Sequence, residues 1–336
     1  MPTPRLRDEV RKLKDAGGVR VTVVRSGALG DTILVLPALS LIAQPLDCQR
    51  LTLVGSPWAR RLMPLMPHAL TFAAFDSPQM ARLFAPAAHE DSTALFADAH
   101  LVVLYTSEPG GTFARNVRSL CAGAVIEWPV FPPPAVHAAC HFAAALTEDT
   151  PSLSDIPLPS LRIEEDRRGR AARWLSANAP ASRHGVVIVH PGSGGQRKCW
   201  PAPMFARLAD DLACAGAQVL VLKGPADAEA CSAMLEGLHQ HPAPPVAELE
   251  DVADVAALIS CAGALVGNDS GITHLAAAVG TPTVAVFGPT DAALWRPLGP
   301  SVTLVQGTRT KDNPSAWPAV EDILSAVSAH VRLART

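Results

Sequence analysis

Residues 264–299 read ALVGNDSGITHLAAAVGTPTVAVFGPTDAALWRPLG, and this stretch decides the fold. A short apolar run, Ala264 to Val266, leads into a glycine-bracketed turn, Gly267-Asn268-Asp269-Ser270-Gly271. Small residues in helical register then run to Gly280. A second apolar run spans Thr283 to Phe287, and Gly288-Pro289-Thr290 turns the chain again. A helix that starts straight after a strand presents free N–H groups and a positive dipole end, which suits a phosphate. The turn glycines keep side chains out of a ligand's way. Asp269, Ser270 and His274 supply groups for hydroxyls and phosphate oxygens. The unit fits an anionic, hydroxyl-rich molecule.

Outward from this stretch the same alternation repeats. Upstream stand a strand at Val186–His190, a helix over 202–215, a strand at Gln218–Lys223, and helices over 226–238 and 252–261. Downstream, Ala319 to Leu333 is amphipathic and closes the chain. The first half begins with a valine-rich strand, Val19–Val24, and a helix from Asp31 to Gln44. Strands follow at Leu51–Val54, Thr71–Phe75 and Leu101–Tyr105, with helices around Trp58–Leu65, Gln79–Ala88 and Ala114–Cys121. Another helix is expected over Ala135–Leu146. Short continuous apolar strands alternating with helices indicate parallel sheets covered on both faces. The stretch Thr150–Ser160 has three prolines and no periodicity, and reads as a linker. The expectation is an α/β protein of two doubly wound domains, residues 1–160 and 161–336, that bind ligand beyond the carboxyl ends of their strands. The last helix is a candidate to pack back on the first domain.

Bulk properties agree. A chain of 336 residues exceeds what one core usually organises. With 49% hydrophobic and 18% charged residues it is globular, and a formal net charge of −3 makes no case for nucleic acid. Seven scattered cysteines, with no C-x-x-C pair, argue against a disulfide framework or zinc ribbon and for a reducing, cytoplasmic setting. No apolar signal core opens the chain, and the longest apolar run, Ile33 to Ala43, is too short to span a bilayer. Arg5 to Asp15 carries five basic and three acidic residues, either a solvated helical lead-in or a contact for an anionic membrane surface.

Three further constellations carry potential chemistry. Arg25-Ser26-Gly27-Ala28-Leu29-Gly30-Asp31 follows the first strand, but it lacks a third correctly spaced glycine, and the second strand ends in Val54-Gly55-Ser56 without an acid for a ribose hydroxyl. That argues against a dehydrogenase. Asp31 is either a helix cap or a general base that takes its proton late in the reaction. The second constellation is His190-Pro191-Gly192-Ser193-Gly194-Gly195-Gln196-Arg197-Lys198-Cys199-Trp200-Pro201. It suits a diphosphate, with backbone amides close by and a cation to neutralise growing charge, and equally reads as an exposed turn. In the third, Lys223-Gly224-Pro225-Ala226-Asp227, the acid either accepts from ribose hydroxyls or caps a helix. His137, Cys140 and His141 share one helical face without an acidic partner, so a packed helix is favoured over a metal site. Trp295-Arg296 reads as packing before base stacking.

Taken in order, SGALGDTILVLPAL, HPGSGGQRKCWP and GNDSGITHLAAAVGTPTVAVFGPTD resemble the ADP-heptose:lipopolysaccharide heptosyltransferases, glycosyltransferase family 9. The resemblance spans most of the chain. It implies the GT-B architecture, two Rossmann-like domains facing across a cleft, and an inverting transferase without cofactor or metal. Matched position by position, Asp31 is the family's catalytic base, and Lys198 meets the donor diphosphate beside Ser193 and Gly194. Asp269, Ser270, Gly271 and His274 belong to the donor site, with Asp269 toward the sugar. Asp227 stands where the family usually has glutamate near the ribose, and Cys199 where a histidine or arginine is common. The implied partners are a nucleotide-sugar donor such as ADP-heptose and a lipid-linked saccharide acceptor at the inner membrane face. Arg60, Arg61, Arg115 and Arg118 are candidates to meet acceptor phosphates. Other readings are a family member acting on a natural product or protein, a nucleotide-sugar 2-epimerase, and a non-catalytic sugar-nucleotide-binding protein.

Overall fold

The computed structural model describes residues 18–43, 48–86, 95–179, 185–239, 242–310 and 316–331. The segment Arg5 to Asp15 lies outside them. The chain divides into two units, Met1–Pro159 and Ser160–Thr336.

The first unit runs β1 (Val19–Arg25), α1 (Leu29–Leu34), α2 (Leu36–Ala43), β2 (Cys48–Gly55), α3 (Pro57–Leu62), β3 (Thr71–Ala74) and α4 (Pro78–Arg82). It continues with β4 (Leu101–Thr106), α5 (Thr112–Leu120), β5 (Ala124–Pro129) and α6 (Ala138–Ala143). The strands are parallel in the order β3-β2-β1-β4-β5. β4 is buried along nearly its whole length, as a central strand covered on both faces must be. Val24, Val54, Val102 and Leu104 meet Phe96, Phe113 and Val117 in one core.

Two expectations change here. The single helix over 31–44 is two helices broken at Val35, because Pro37 lacks the N–H that would continue the ladder and instead sits in the first turn of α2. Strand β5 escapes the apolar pattern because Glu127, Trp128 and Pro129 lie at the sheet's edge, where only Ile126 is fully covered.

The second unit runs α7 (Glu165–Asn178), β6 (Val186–His190), α8 (Ala202–Cys214), β7 (Gln218–Lys223), α9 (Ala228–Glu236), β8 (Val246–Glu248) and α10 (Val252–Ser260). Then come β9 (Ala264–Asn268), α11 (Gly271–Ala278), β10 (Thr283–Phe287), α12 (Ala292–Trp295), β11 (Val302–Gln306) and α13 (Val320–Ser328). The parallel order is β11-β10-β9-β6-β7-β8. Val187, Val189, Val219, Val221, Val266 and Val284 pack against Phe205, Leu208 and Leu212 of α8. The closing helix α13 joins this same core through Val320, Ile323 and Val327. Helix α7 is hidden in the sequence because only Ala171 and Leu175 are buried in a run of charges.

In each sheet the first strand of the unit is central: β1 lies between β2 and β4, and β6 between β7 and β9. The chain therefore leaves in opposite directions at the carboxyl ends of these strands, opening a crevice where the loops diverge.

Candidate functional site

Around the β6/β9 crevice, a single buried amide organises the loops. Asn268 is wholly buried at the end of β9. Its Nδ2 donates to the carbonyls of Pro191 (2.8 Å) and Gly192 (3.2 Å), and its Oδ1 accepts from the Trp200 N–H at 2.8 Å. The backbone of the glycine-serine loop is thereby tied at both ends. Trp200 is anchored in turn, its indole N–H on the Pro318 carbonyl and its ring edge-on to Phe205.

Asp269 follows on the loop to α11. Its backbone carbonyl accepts from Ser193 Oγ at 2.7 Å, and its carboxylate accepts from Lys198 Nζ at 2.8 Å. Asp269 is buried while the Lys198 side chain is 43% exposed, so the ammonium has solvent beside it and room for an anion. Ser270 caps α11 by accepting from the Thr273 N–H, and Thr273 Oγ1 donates to the Asn268 carbonyl at 2.6 Å. That hydroxyl explains Gly267: a Cβ there would lie 2.7 Å from it. The remaining first-turn amides of α11, beginning with Gly271, have no intrahelical acceptor. His274 lies buried one turn along.

Gly194 and Gly195 differ from the other loop glycines. A Cβ at either would meet nothing within 4 Å. The protein's own packing does not require glycine there, whereas close approach of a ligand to the backbone would. Gly192 is the opposite case, since a Cβ would fall 1.9 Å from Asp227 Oδ1. Asp227 is buried, and its Oδ2 accepts from the Gly224 N–H at 2.8 Å. His190 lies beneath, its Nδ1 donating to the Leu222 carbonyl, with burial holding its pKa below the ordinary range. A groove of about 280 Å³ opens between this loop and α9, lined by Gly192, Ser193, Gln196, Cys199, Ala226 and Glu229. Burial and the Asp227 charge push the Cys199 thiol up, so it stays protonated.

In the first unit, Asp31 is the third residue of α1. Its Oδ2 accepts from the Ala28 N–H at 3.0 Å, which is the capping expectation. Its Oδ1 also accepts from Arg25 Nη2 at 2.9 Å. The carboxylate remains 27% exposed, and two bonds leave about half of its four lone-pair positions open. Arg25 itself is buried, stacked over Phe142 at 5.0 Å. Burial pushes its guanidinium down from the usual range while Asp31 opposes the shift.

The four arginines do not act as one group. Arg61 lies over the Trp58 ring, with Arg60 exposed on the same helix, α3. Arg115 donates to the Gly110 carbonyl at 2.6 Å and to Thr112, and Arg118 pairs with Glu127, which also accepts the Gly110 N–H. The last two thus hold a turn whose Gly110 takes φ +75°. His137 caps α6, His141 Nε2 donates to the Pro129 carbonyl, and no metal-binding cluster forms among the described residues. Trp295 packs on the small cluster of Ala285, Phe287 and Ala292.

Arg25, Asn268 and Thr273 carry the geometry, yet none was singled out from the sequence. For Arg25 and Asn268 the available signal was a polar side chain at the end of a strand, and for Thr273 a hydroxyl three residues after the Ser270 cap.

The comparisons bear on these loops. Residues 91–316 match the model of glycosyltransferase family 9 (heptosyltransferase). The chain belongs to glycosyltransferase family 9. Lipopolysaccharide heptosyltransferase 3 of Escherichia coli is 34% identical over 132 residues, 38% of this chain and 39% of that protein, so the match spans well under half of the relative. A family 9 glycosyl transferase from Veillonella parvula superposes with a TM-score of 0.75 at 20% identity, covering 93% of this chain and 97% of that one. The structure of E. coli ADP-heptose lipopolysaccharide heptosyltransferase II gives 0.71 at 19% identity, covering 93% and 98%. These likenesses show the fold, two doubly wound units of the GT-B kind. The family 9 match includes Ser193, Lys198 and Asp269 and begins after Arg25 and Asp31.

Proposed function

We propose that this family 9 member is an inverting glycosyltransferase that moves a heptose from ADP-heptose to a hydroxyl of a lipopolysaccharide-core-type acceptor. The observation that carries the reading is the ion pair of half-exposed Lys198 with Asp269 at the start of α11, next to Gly194, where the backbone is open. A cation, a helix N-terminus and unobstructed amides together favour a diphosphate. Asp269 and His274 serve the sugar, and the free oxygen of Asp227 serves a ribose hydroxyl.

The chemistry is a single displacement. The acceptor oxygen attacks the anomeric carbon, the bond to the diphosphate oxygen breaks, and the proton passes to Asp31. Lys198 and the α11 amides stabilise the departing negative charge, a role worth several kcal/mol where donors are preorganised. The acceptor is lipid-linked, so the enzyme works peripherally at the inner face of the cytoplasmic membrane, with Arg60 and Arg61 toward acceptor phosphates. No helix among the described residues is long and apolar enough to cross a membrane.

A thermal-shift panel tests the donor assignment, because a ligand of the folded state raises apparent stability. ADP and ADP-heptose should raise the Tm more than UDP, GDP and dTDP forms. Equal or greater stabilisation by another nucleotide overturns the donor. Consumption of a nucleotide sugar without any acceptor overturns the transferase reading in favour of epimerisation.

A further inference from the structure

We propose that Arg25 is the positioning residue of the Asp31 carboxylate, setting its direction before any acceptor arrives. The inference rests on Asp31 acting as base and extends it to a residue outside the family match.

No other lysine or arginine among the described residues is buried. Arg25 closes β1, a strand buried along nearly its whole length, and burying a guanidinium there carries a desolvation cost. An ion pair kept for stability alone is usually replaceable by apolar packing, and one that earns its burial satisfies its donors. Here the satisfaction is incomplete, since Arg25 Nε is buried without a partner. What the guanidinium does achieve is geometric. Nη2 holds Asp31 Oδ1 at 2.9 Å while Nη1 bonds the Ser26 carbonyl, so one planar fork joins the carboxylate to its own loop.

The fork is locked from behind. Its plane lies over the Phe142 ring, and the Phe142 carbonyl accepts from Tyr105 Oη at 2.7 Å inside the core. From the front, Gly27 leaves the space: a Cβ there would lie 2.7 Å from Asp31 Cβ and 2.8 Å from Arg25 Nη1. Ser56 Oγ pins the Gly27 carbonyl at 2.6 Å. With the Ala28 N–H on Oδ2, both carboxylate oxygens are anchored on one side and keep free lone pairs on the other. A side chain built only to cap α1 needs the Ala28 bond alone.

The test is a cycle of Arg25→Met, Asp31→Asn and the double variant, with Arg25→Lys as the conservative change. Transfer from ADP-heptose to a heptose-deficient lipopolysaccharide core, ADP-induced thermal shift and unliganded Tm are measured on each. Arg25→Met should lower kcat by about 100-fold, the scale of a small misplacement of a reacting group, with donor KM and the ADP-induced shift unchanged. Arg25→Lys should recover part of kcat, since it keeps the charge but not the fork. In the Asp31→Asn background Arg25→Met should cost nothing further, and the Tm losses of the two single variants should not add.

Wild-type kcat in Arg25→Met overturns the proposal. So does a kcat loss that persists undiminished in the Asp31→Asn background. Full activity of Asp31→Asn is a different result, because it removes the base itself and with it the mechanism proposed above.

Discussion

At the carboxyl end of β9 a neutral amide, Asn268, gathers three backbone groups from the loop after β6. At the carboxyl end of β1 a charged side chain, Arg25, gathers one carboxylate and one carbonyl. Both strands are central in their sheets, and both sites are organised by a buried polar residue where a buried strand stops. The difference lies in what each leaves for a ligand. The Asn268 network is saturated, so the loop backbone is rigid while Lys198 and the α11 amides are free to exchange partners. The Arg25 pair is unsaturated and ionic, so removing Asp31 leaves a buried guanidinium uncompensated, which is far costlier than losing one neutral hydrogen bond. The proposed donor site, built on dipoles, and the proposed base, built on a charge pair, should therefore fail in different ways.

The largest separation is expected from Asp31→Ala. Turnover should drop about 10²- to 10⁴-fold, the usual contribution of a general base, while the ADP-induced rise in Tm is kept. Full turnover would remove Asp31 as base. Lys198→Ala should act on the other side, lowering turnover roughly 10²- to 10³-fold and also weakening ADP relative to adenosine. Equal loss for ADP and adenosine would place the lysine away from the diphosphate.

Asn268→Ala leaves the Trp200 N–H and two carbonyls without their partner, and should destabilise the chain by about 3 kcal/mol in denaturant melts. A near-neutral result would show that the loop is held by other means. The two glycines sharpen the same contrast on a finer scale. Gly192→Ala collides with buried Asp227 and should cost roughly 1–3 kcal/mol of stability. Gly194→Ala meets open space, so its Tm should stay that of the wild type while affinity for ADP falls.

The smallest effect concerns pH. His141 and His190 are both held below the ordinary histidine value of 6.5 by burial. Between that value and their folded values the unfolded chain binds more protons than the folded one, so stability is present above pH 6.5 and declines as pH falls below it. Tm measured from pH 8 to 5 should be flat and then fall, and His141→Gln should flatten part of the decline.

Much of the architecture was legible because parallel strands buried on both faces are written as continuous apolar runs. Val186–His190 and Thr283–Phe287 each match such a run closely, and Val19–Arg25 follows it apart from Arg20, Thr22 and the closing Arg25. Strands β5, β8 and β11 were missed for the converse reason, since edge strands need not be apolar throughout. The glycine turns marked where the loops lie, and their lysine, serine and aspartates were visible as candidates. Arg115 and Arg118 stay exposed, and the sequence did not show that they bond the Gly110 carbonyl and Glu127.

The amino-acid order alone determined that there are two doubly wound sheets, that the glycine loops follow their central strands, and that the Ser270–Gly271 step starts a helix. Those are local matters of periodicity, capping and backbone freedom, settled within a few residues. Only the tertiary structure decided that Lys198 meets Asp269, 71 positions later, and that Arg25 reaches back to Asp31 over Phe142. The first pairing depends on β6 lying beside β9, and the second on a core that holds Phe142 under Arg25 and excludes water. No local pattern encodes which strand becomes which neighbour, or how strongly an excluded solvent binds two charges together.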